Sequence, residues 1–111
     1  MSTRWDTIKE SSNGRLWHAP DNEAFVFGLT QLAVEECGAI VEIELPEPGE
    51  FFSAGEMMGE IQGRNAAVAL VAPCDLTILE SNEVVQENFA LLDDDPIGDA
   101  WLLRFSQEAE G

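Results

Sequence analysis

Apolar positions fall in short runs along this chain, and glycine, proline or asparagine interrupts each run. Leu16-Trp17-His18 predicts a short strand entering a turn over 19–22, and Ala24-Phe25-Val26-Phe27 predicts the strand that returns. Leu29, Leu32, Ala33 and Cys37 recur instead at three- and four-residue steps, the spacing of one helix face. Thr30 is placed to cap that helix through its side-chain oxygen, and Gly38 to stop it after Cys37. A helix lid packed on this stripe leaves Glu35 and Glu36 facing water, where a partner can reach them.

Over 39–45 the alternation is imperfect, with Ile40, Ile43 and Leu45 apolar and Glu42 and Glu44 between them, which predicts a half-buried strand with an acidic outer face. Pro46-Glu47-Pro48-Gly49 ends it, and Phe51-Phe52 begins another strand. Gly59-Glu60-Ile61-Gln62 and Ala67-Val68-Ala69-Leu70-Val71 flank Gly63-Arg64-Asn65-Ala66 and predict a hairpin whose tip meets solvent. Leu76 to Glu80 reads as a strand ended by Ser81-Asn82, the stretch 82–92 as a helical turn followed by extended chain, and Trp101 to Phe105 as the last strand. Short strands separated by turns, with short helices between, predict a mainly β fold.

At 111 residues, 45% of them hydrophobic, the chain suffices for one core. The domain is expected over 15–106, after an N-terminal segment 1–14 whose Ser11-Ser12-Asn13-Gly14 marks a loop or hairpin, and before a tail 107–111. Twenty-two acidic residues against five basic ones give a formal charge of −17. Phosphate backbones and anionic membrane surfaces are repelled by such a chain, which excludes nucleic acid and membrane as partners and leaves a solvated surface or steering toward a basic protein. Cys37 and Cys74 are outside any Cys-x-x-Cys spacing and are expected to be buried small hydrophobes, not a disulfide or metal pair. His18, the single histidine, has no ligand neighbour at metal spacing, and Asp93-Asp94-Asp95 lacks the alternating oxygen ligands of a calcium loop, so no metal is expected. No apolar run approaches the roughly 20 residues of a membrane helix, and the polar N-terminal segment lacks a signal peptide's apolar stretch. The cytoplasm is the expected compartment. No activated nucleophile, general base or phosphate-cradling loop is visible, so an enzyme is not expected.

Phe27-Gly28-Leu29-Thr30-Gln31-Leu32-Ala33 is similar to Val-Gly-Ile-Thr-x-Tyr-Ala, and Gly38-Ala39-Ile40-Val41-Glu42-Ile43-Glu44-Leu45-Pro46-Glu47-Pro48-Gly49 to Gly-Asp-Ile-Val-x-Val-x-Leu-Pro-x-x-Gly. Further on, Ala72-Pro73, Asn82 and Asp95-Pro96-Ile97-Gly98-Asp99-Ala100-Trp101 resemble Ser-Pro, Asn and Asp-Pro-Tyr-Gly-x-Gly-Trp. These are motifs of the glycine cleavage system H proteins, and the resemblance runs from Trp17 to about Phe105 without insertions. It implies a barrel-sandwich hybrid of the lipoyl- and biotinyl-carrier type.

It also implies a role for the hairpin. The family's hairpin bears Glu-Ser-Val-Lys-Ala with a lipoylated lysine, and Gln62, Gly63, Arg64, Asn65 and Ala66 stand at those five positions. Asn65 therefore occupies the place of the modified lysine. An asparagine nitrogen, its lone pair delocalised into the carbonyl, cannot attack an activated lipoyl group as an amine does, so lipoate is not expected. Gln62 for glutamate and Arg64 for valine both move the tip toward positive charge. The expectation is a lipoate-free module that binds or regulates glycine cleavage or lipoate-handling enzymes, through Gln62, Gly63, Arg64, Asn65, Glu35 and Glu36. The alternative is a working lipoyl or other group carrier in one-carbon or acyl metabolism with its group attached elsewhere; Lys9 is the only lysine.

Overall fold

A computed structural model describes residues 7–98 and 100–108 of the chain. The strands are β1 (Lys9–Glu10), β2 (Leu16–Asp21), β3 (Ala24–Leu29), β4 (Ile40–Glu44), β5 (Phe51–Phe52), β6 (Met57–Gly63), β7 (Ala67–Val71), β8 (Leu76–Ser81) and β9 (Leu103–Gln107). Three short helices accompany them: α1 (Gln31–Cys37), α2 (Glu83–Glu87) and α3 (Ala90–Asp94). One sheet runs β1-β2-β3-β9-β8-β5 and a second runs β4-β6-β7, antiparallel throughout. The main core draws on both sheets and the helices, with Phe27, Leu29, Val34, Ile61, Leu70, Ile78, Leu92 and Phe105 among its buried members.

The β2–β3 strands are longer than the apolar runs suggest. Pro20 lies inside β2 opposite Phe25, and the turn shrinks to Asn22-Glu23, with Asn22 at φ 61°. Proline is tolerated because β1 reaches only to His18, so among the described residues no strand on that side of β2 needs the missing N–H. The segment 11–14 forms the expected hairpin turn, closed by a Gly14 N–H donating to the Ser11 carbonyl. β4 carries a register shift between Ile40 and Glu42, which accounts for its broken alternation, and Glu42 and Glu44 are exposed.

Both faces of the β2–β3 ladder are covered. Trp17, Ala19 and Val26 point away from the main core and form a second cluster with Ile8, Ile97 and Trp101. Trp17 pairs across the strands with Gly28, and a Cβ on Gly28 would lie 2.8 Å from the indole nitrogen. The indole N–H donates to the Pro96 carbonyl at 3.1 Å. Pro96, Ile97 and Trp101 thus cover the outer face of the sheet.

Three expectations change. The helix stripe is rotated: Ala33, Val34 and Cys37 are buried, whereas Leu32 is 46% exposed. Leu32 and Val34 are two residues apart, about 200° around a helix, so only one can face the core; Val34 takes the place because the capped helix turns Ala33 and Cys37 inward with it. The stretch after α2 is helical, as α3, because Asn88 and Phe89 carbonyls accept from the Leu91 and Leu92 amides. The last strand begins at Leu103 and extends to Gln107, which pairs with Leu76. Leu102 precedes the ladder because its N–H donates to the Phe27 carbonyl.

Candidate functional site

The β6–β7 hairpin is registered by Ile61 opposite Val68 and Gln62 opposite Ala67, with Ile61 and Val68 turned into the core. This alternation places Gln62 and Ala67 outward. The Gly63 N–H donates to the Ala66 carbonyl at 2.9 Å and closes the turn. Arg64, Asn65 and Ala66 are exposed at its tip.

The tip is held from below. Its Arg64 N–H donates to the Ala39 carbonyl and its Asn65 N–H to the Cys37 carbonyl, each at 2.9 Å. Those acceptors lie where α1 runs into β4, and the chain needs Gly38 at φ 72° to make that exit. A Cβ on Gly38 would lie 2.6 Å from the Asn65 side-chain nitrogen, so the asparagine rests over the glycine. Gly63 is more tightly enclosed: its Cβ would lie 2.2 Å from the Cys37 carbonyl oxygen. The two glycines permit helix end and hairpin tip to meet as one unit.

Gln62, Gly63, Arg64 and Asn65 are therefore brought together, with α1 beside them. The Gln62 amide donates to Glu60 at 2.9 Å, and Glu35 is exposed. Glu36 differs from expectation. It is half-buried and accepts two hydrogen bonds from Arg15, at 2.6 and 2.9 Å, because β2 starts alongside the helix. This bidentate pair holds α1 against the sheet and occupies both carboxylate oxygens. Of the described cations, Arg15 and Arg104 have carboxylate partners, Glu36 and Asp21, while Arg64 and Lys9 have none.

Both cysteines are free thiols. Cys37 is buried below the tip, where burial and then Glu36 raise its pKa; Cys74 is half-buried, its pKa raised by burial and then Asp75. Neither is activated. Among the described residues no cluster of histidine, cysteine and carboxylate could hold a metal, and no helix is long and apolar enough to cross a membrane.

Over residues 8–110 the chain matches the family described as Glycine cleavage H-protein. This chain belongs to that family. It is 43% identical to the glycine cleavage system H protein of Rippkaea orientalis over 84 residues, which are 76% of this chain and 64% of the relative. It is 39% identical to that of Gloeothece citriformis, with the same 76% and 64% coverage. The chain thus spans somewhat under two thirds of the length of these H proteins. The fold is shared with a crystal structure of a glycine cleavage system H protein from Mycobacterium marinum, at a TM-score of 0.84 and 32% identity, covering 94% of this chain and 86% of that one. The mainly β, barrel-sandwich architecture is that of the family, its two sheets forming no closed barrel.

The pairing of Lys9 with His18 escaped sequence reasoning. They stand opposite each other across β1 and β2, and both line a cavity against Phe25, Phe105 and Cys74. The signal is a strand pairing between residues nine apart, and the intervening loop hides it. His18 packs edge-on to Phe25, with ring centroids 6.4 Å apart. Burial, and secondarily the Lys9 ammonium, push the His18 pKa below its usual 6.5. The unfolded chain therefore takes up this proton first, and stability is lost as pH falls from about 6.5 toward the folded value. His18→Gln is expected to flatten the stability-against-pH curve there relative to wild type. Urea midpoints from pH 7.5 down to 5 test this, and parallel curves for the two proteins would refute it.

Proposed function

We propose that this H-family chain carries no lipoate and works by binding proteins, with glycine cleavage or lipoate-handling enzymes as its partners. The observation that carries the proposal is Asn65 at the tip of a hairpin whose backbone is anchored on the helix end. Two N–H groups bind the α1–β4 junction and two glycines make room for the contact. A scaffold this closely fitted presents a defined surface, yet its exposed side chains are an arginine and an amide rather than an amine.

The residues present do not fit lipoate. The amide nitrogen of Asn65 is no acyl acceptor, and Lys9 lies on the edge strand β1 rather than on a turn a modifying enzyme could grip. What the tip does offer is Arg64, exposed and without an ion pair among the described residues, on a chain of charge −17. A local cation on an acidic surface gives a partner an orienting mark.

Intact-mass measurement after incubation with a lipoate-attaching enzyme, ATP and lipoate tests the first half. The wild type is expected to remain unmodified, and Asn65→Lys, in a tip that also carries Gln62→Glu and Arg64→Val, to gain one lipoyl group. Lipoylation of the wild type at any site would overturn the reading. For the second half, immobilised unmodified wild type is expected to retain a purified glycine cleavage or lipoate-attaching enzyme, and Arg64→Glu to weaken that retention. Equal retention by the two forms would remove the tip from the interface.

A further inference from the structure

A second site lies away from the hairpin. A cavity of about 380 Å³ opens between the β1–β2–β3–β9 side of the larger sheet and the Pro73-Cys74 turn. That volume suits a small organic molecule. Its apolar wall is built from Phe25 and Phe105, cross-strand partners whose rings stack with centroids 5.5 Å apart and planes 16° from parallel, with Pro20 and Pro73 beside them. Thr7, Lys9, His18, Cys74 and Gln107 complete the lining.

The charge of this lining is unusual for the chain. Among the described residues no aspartate or glutamate lines it, although the protein has 22 of them. The only lysine and the only histidine both do, held side by side by the pairing of β1 with β2. Lys9 has no carboxylate partner among the described residues. An ammonium beside a stacked aromatic wall, in a recess whose described lining carries no carboxylate and which has Asp75 beside Cys74, selects its ligand by exclusion. A cationic ligand meets Lys9 at close range, and a polyanion meets the repulsion of the whole surface. A single carboxylate on a flat apolar body satisfies both: its charge meets Lys9, His18 supplies a ring nitrogen for a hydrogen bond, and its body lies on the phenyl rings.

We propose that this cavity is a binding site for small monocarboxylic acids with a flat apolar body. The site is separate from the hairpin, and its occupancy is independent of whether the tip binds proteins.

Titration of the full chain with phenylacetate, followed by two-dimensional amide and methyl NMR, tests the assignment, with phenylacetamide as the uncharged analogue. Saturable shifts are expected at Lys9, His18, Phe25, Cys74 and Phe105, with phenylacetate binding more tightly than phenylacetamide. Lys9→Gln, a change at an exposed position, is expected to weaken phenylacetate roughly tenfold, the scale of one charge-assisted contact, while leaving phenylacetamide unchanged. Cys74→Trp, which fills the recess, is expected to abolish both, with the unperturbed remainder of the spectrum reporting that the fold persists. Absence of saturable shifts in the wild type, equal affinity for acid and amide, or an unchanged phenylacetate affinity in Lys9→Gln would each overturn the proposal.

Discussion

Gly63→Ala is expected to destabilise the protein by about 3 kcal/mol or more, at the upper end of what overpacking costs. The added methyl would lie 2.2 Å from the Cys37 carbonyl oxygen, 2.6 Å from the Cys37 Cβ and 2.7 Å from its carbonyl carbon. Two of these are backbone atoms at the end of α1, and Gly63 is itself paired with Ile40, so neither side can give way by rotating a side chain. Relief requires lifting the tip away, which breaks the Arg64 and Asn65 amide bonds to Ala39 and Cys37. Urea unfolding gives the cost. Gly55→Ala is the control, since no atom lies within 4 Å of its Cβ and only its φ of 89° opposes a side chain, an expense of about 1 kcal/mol. A midpoint for Gly63→Ala no lower than that of the control would refute the docking of the tip on the helix. The same variant is expected to lose any partner that reads the anchored hairpin.

Trp17→Ala carries the other large effect, an expected loss of about 3–5 kcal/mol, the cost of truncating a fully buried large aromatic side chain. Trp17 is completely buried in the outer cluster and its indole N–H reaches the Pro96 carbonyl at 3.1 Å. Removing it opens a void over Gly28, which has no side chain to fill it, and leaves the Pro96 carbonyl without that donor. Against the 5–15 kcal/mol typical of a small domain, this removes a large share of the total stability. Circular dichroism through a urea titration measures it. A loss under about 1 kcal/mol, below any buried-tryptophan truncation, would show that Pro96, Ile97 and Trp101 are held to the sheet by other means.

The sequence was informative wherever a local rule acts alone. Thr30 caps α1, with its side-chain oxygen accepting from the Ala33 N–H, and Gly38 ends it, because capping depends on residues within one turn. The strands from β2 onward followed from apolar runs and alternation, and the hairpin from the turn residues between apolar runs. By contrast, β1 at Lys9–Glu10 lies in a segment read only as polar chain with a loop or hairpin. The family was legible because its motifs are spaced without insertions, and the match over residues 8–110 bears this out. Strand ends were less legible. Pro20 marks a turn by local rules, and its tolerance depends on where β1 stops. The extent of β9 depends on Leu76 as a partner for Gln107, contributed from far up the chain.

Sequence alone determined that this is a mainly β, strongly acidic domain with an asparagine at the hairpin tip, because composition, periodicity and residue identity need no partner to be read. Tertiary structure decided what the tip rests on, since the fit of Gly63 against Cys37 and of Asn65 over Gly38 arises only when hairpin and helix end meet. It decided that Val34 rather than Leu32 enters the core, and that Glu36 is occupied by Arg15. It also placed Lys9 beside His18 at a cavity whose described lining carries no carboxylate. In each case the deciding contact joins residues from different elements, and the energy of such a contact exists only once the sheets have closed around the core.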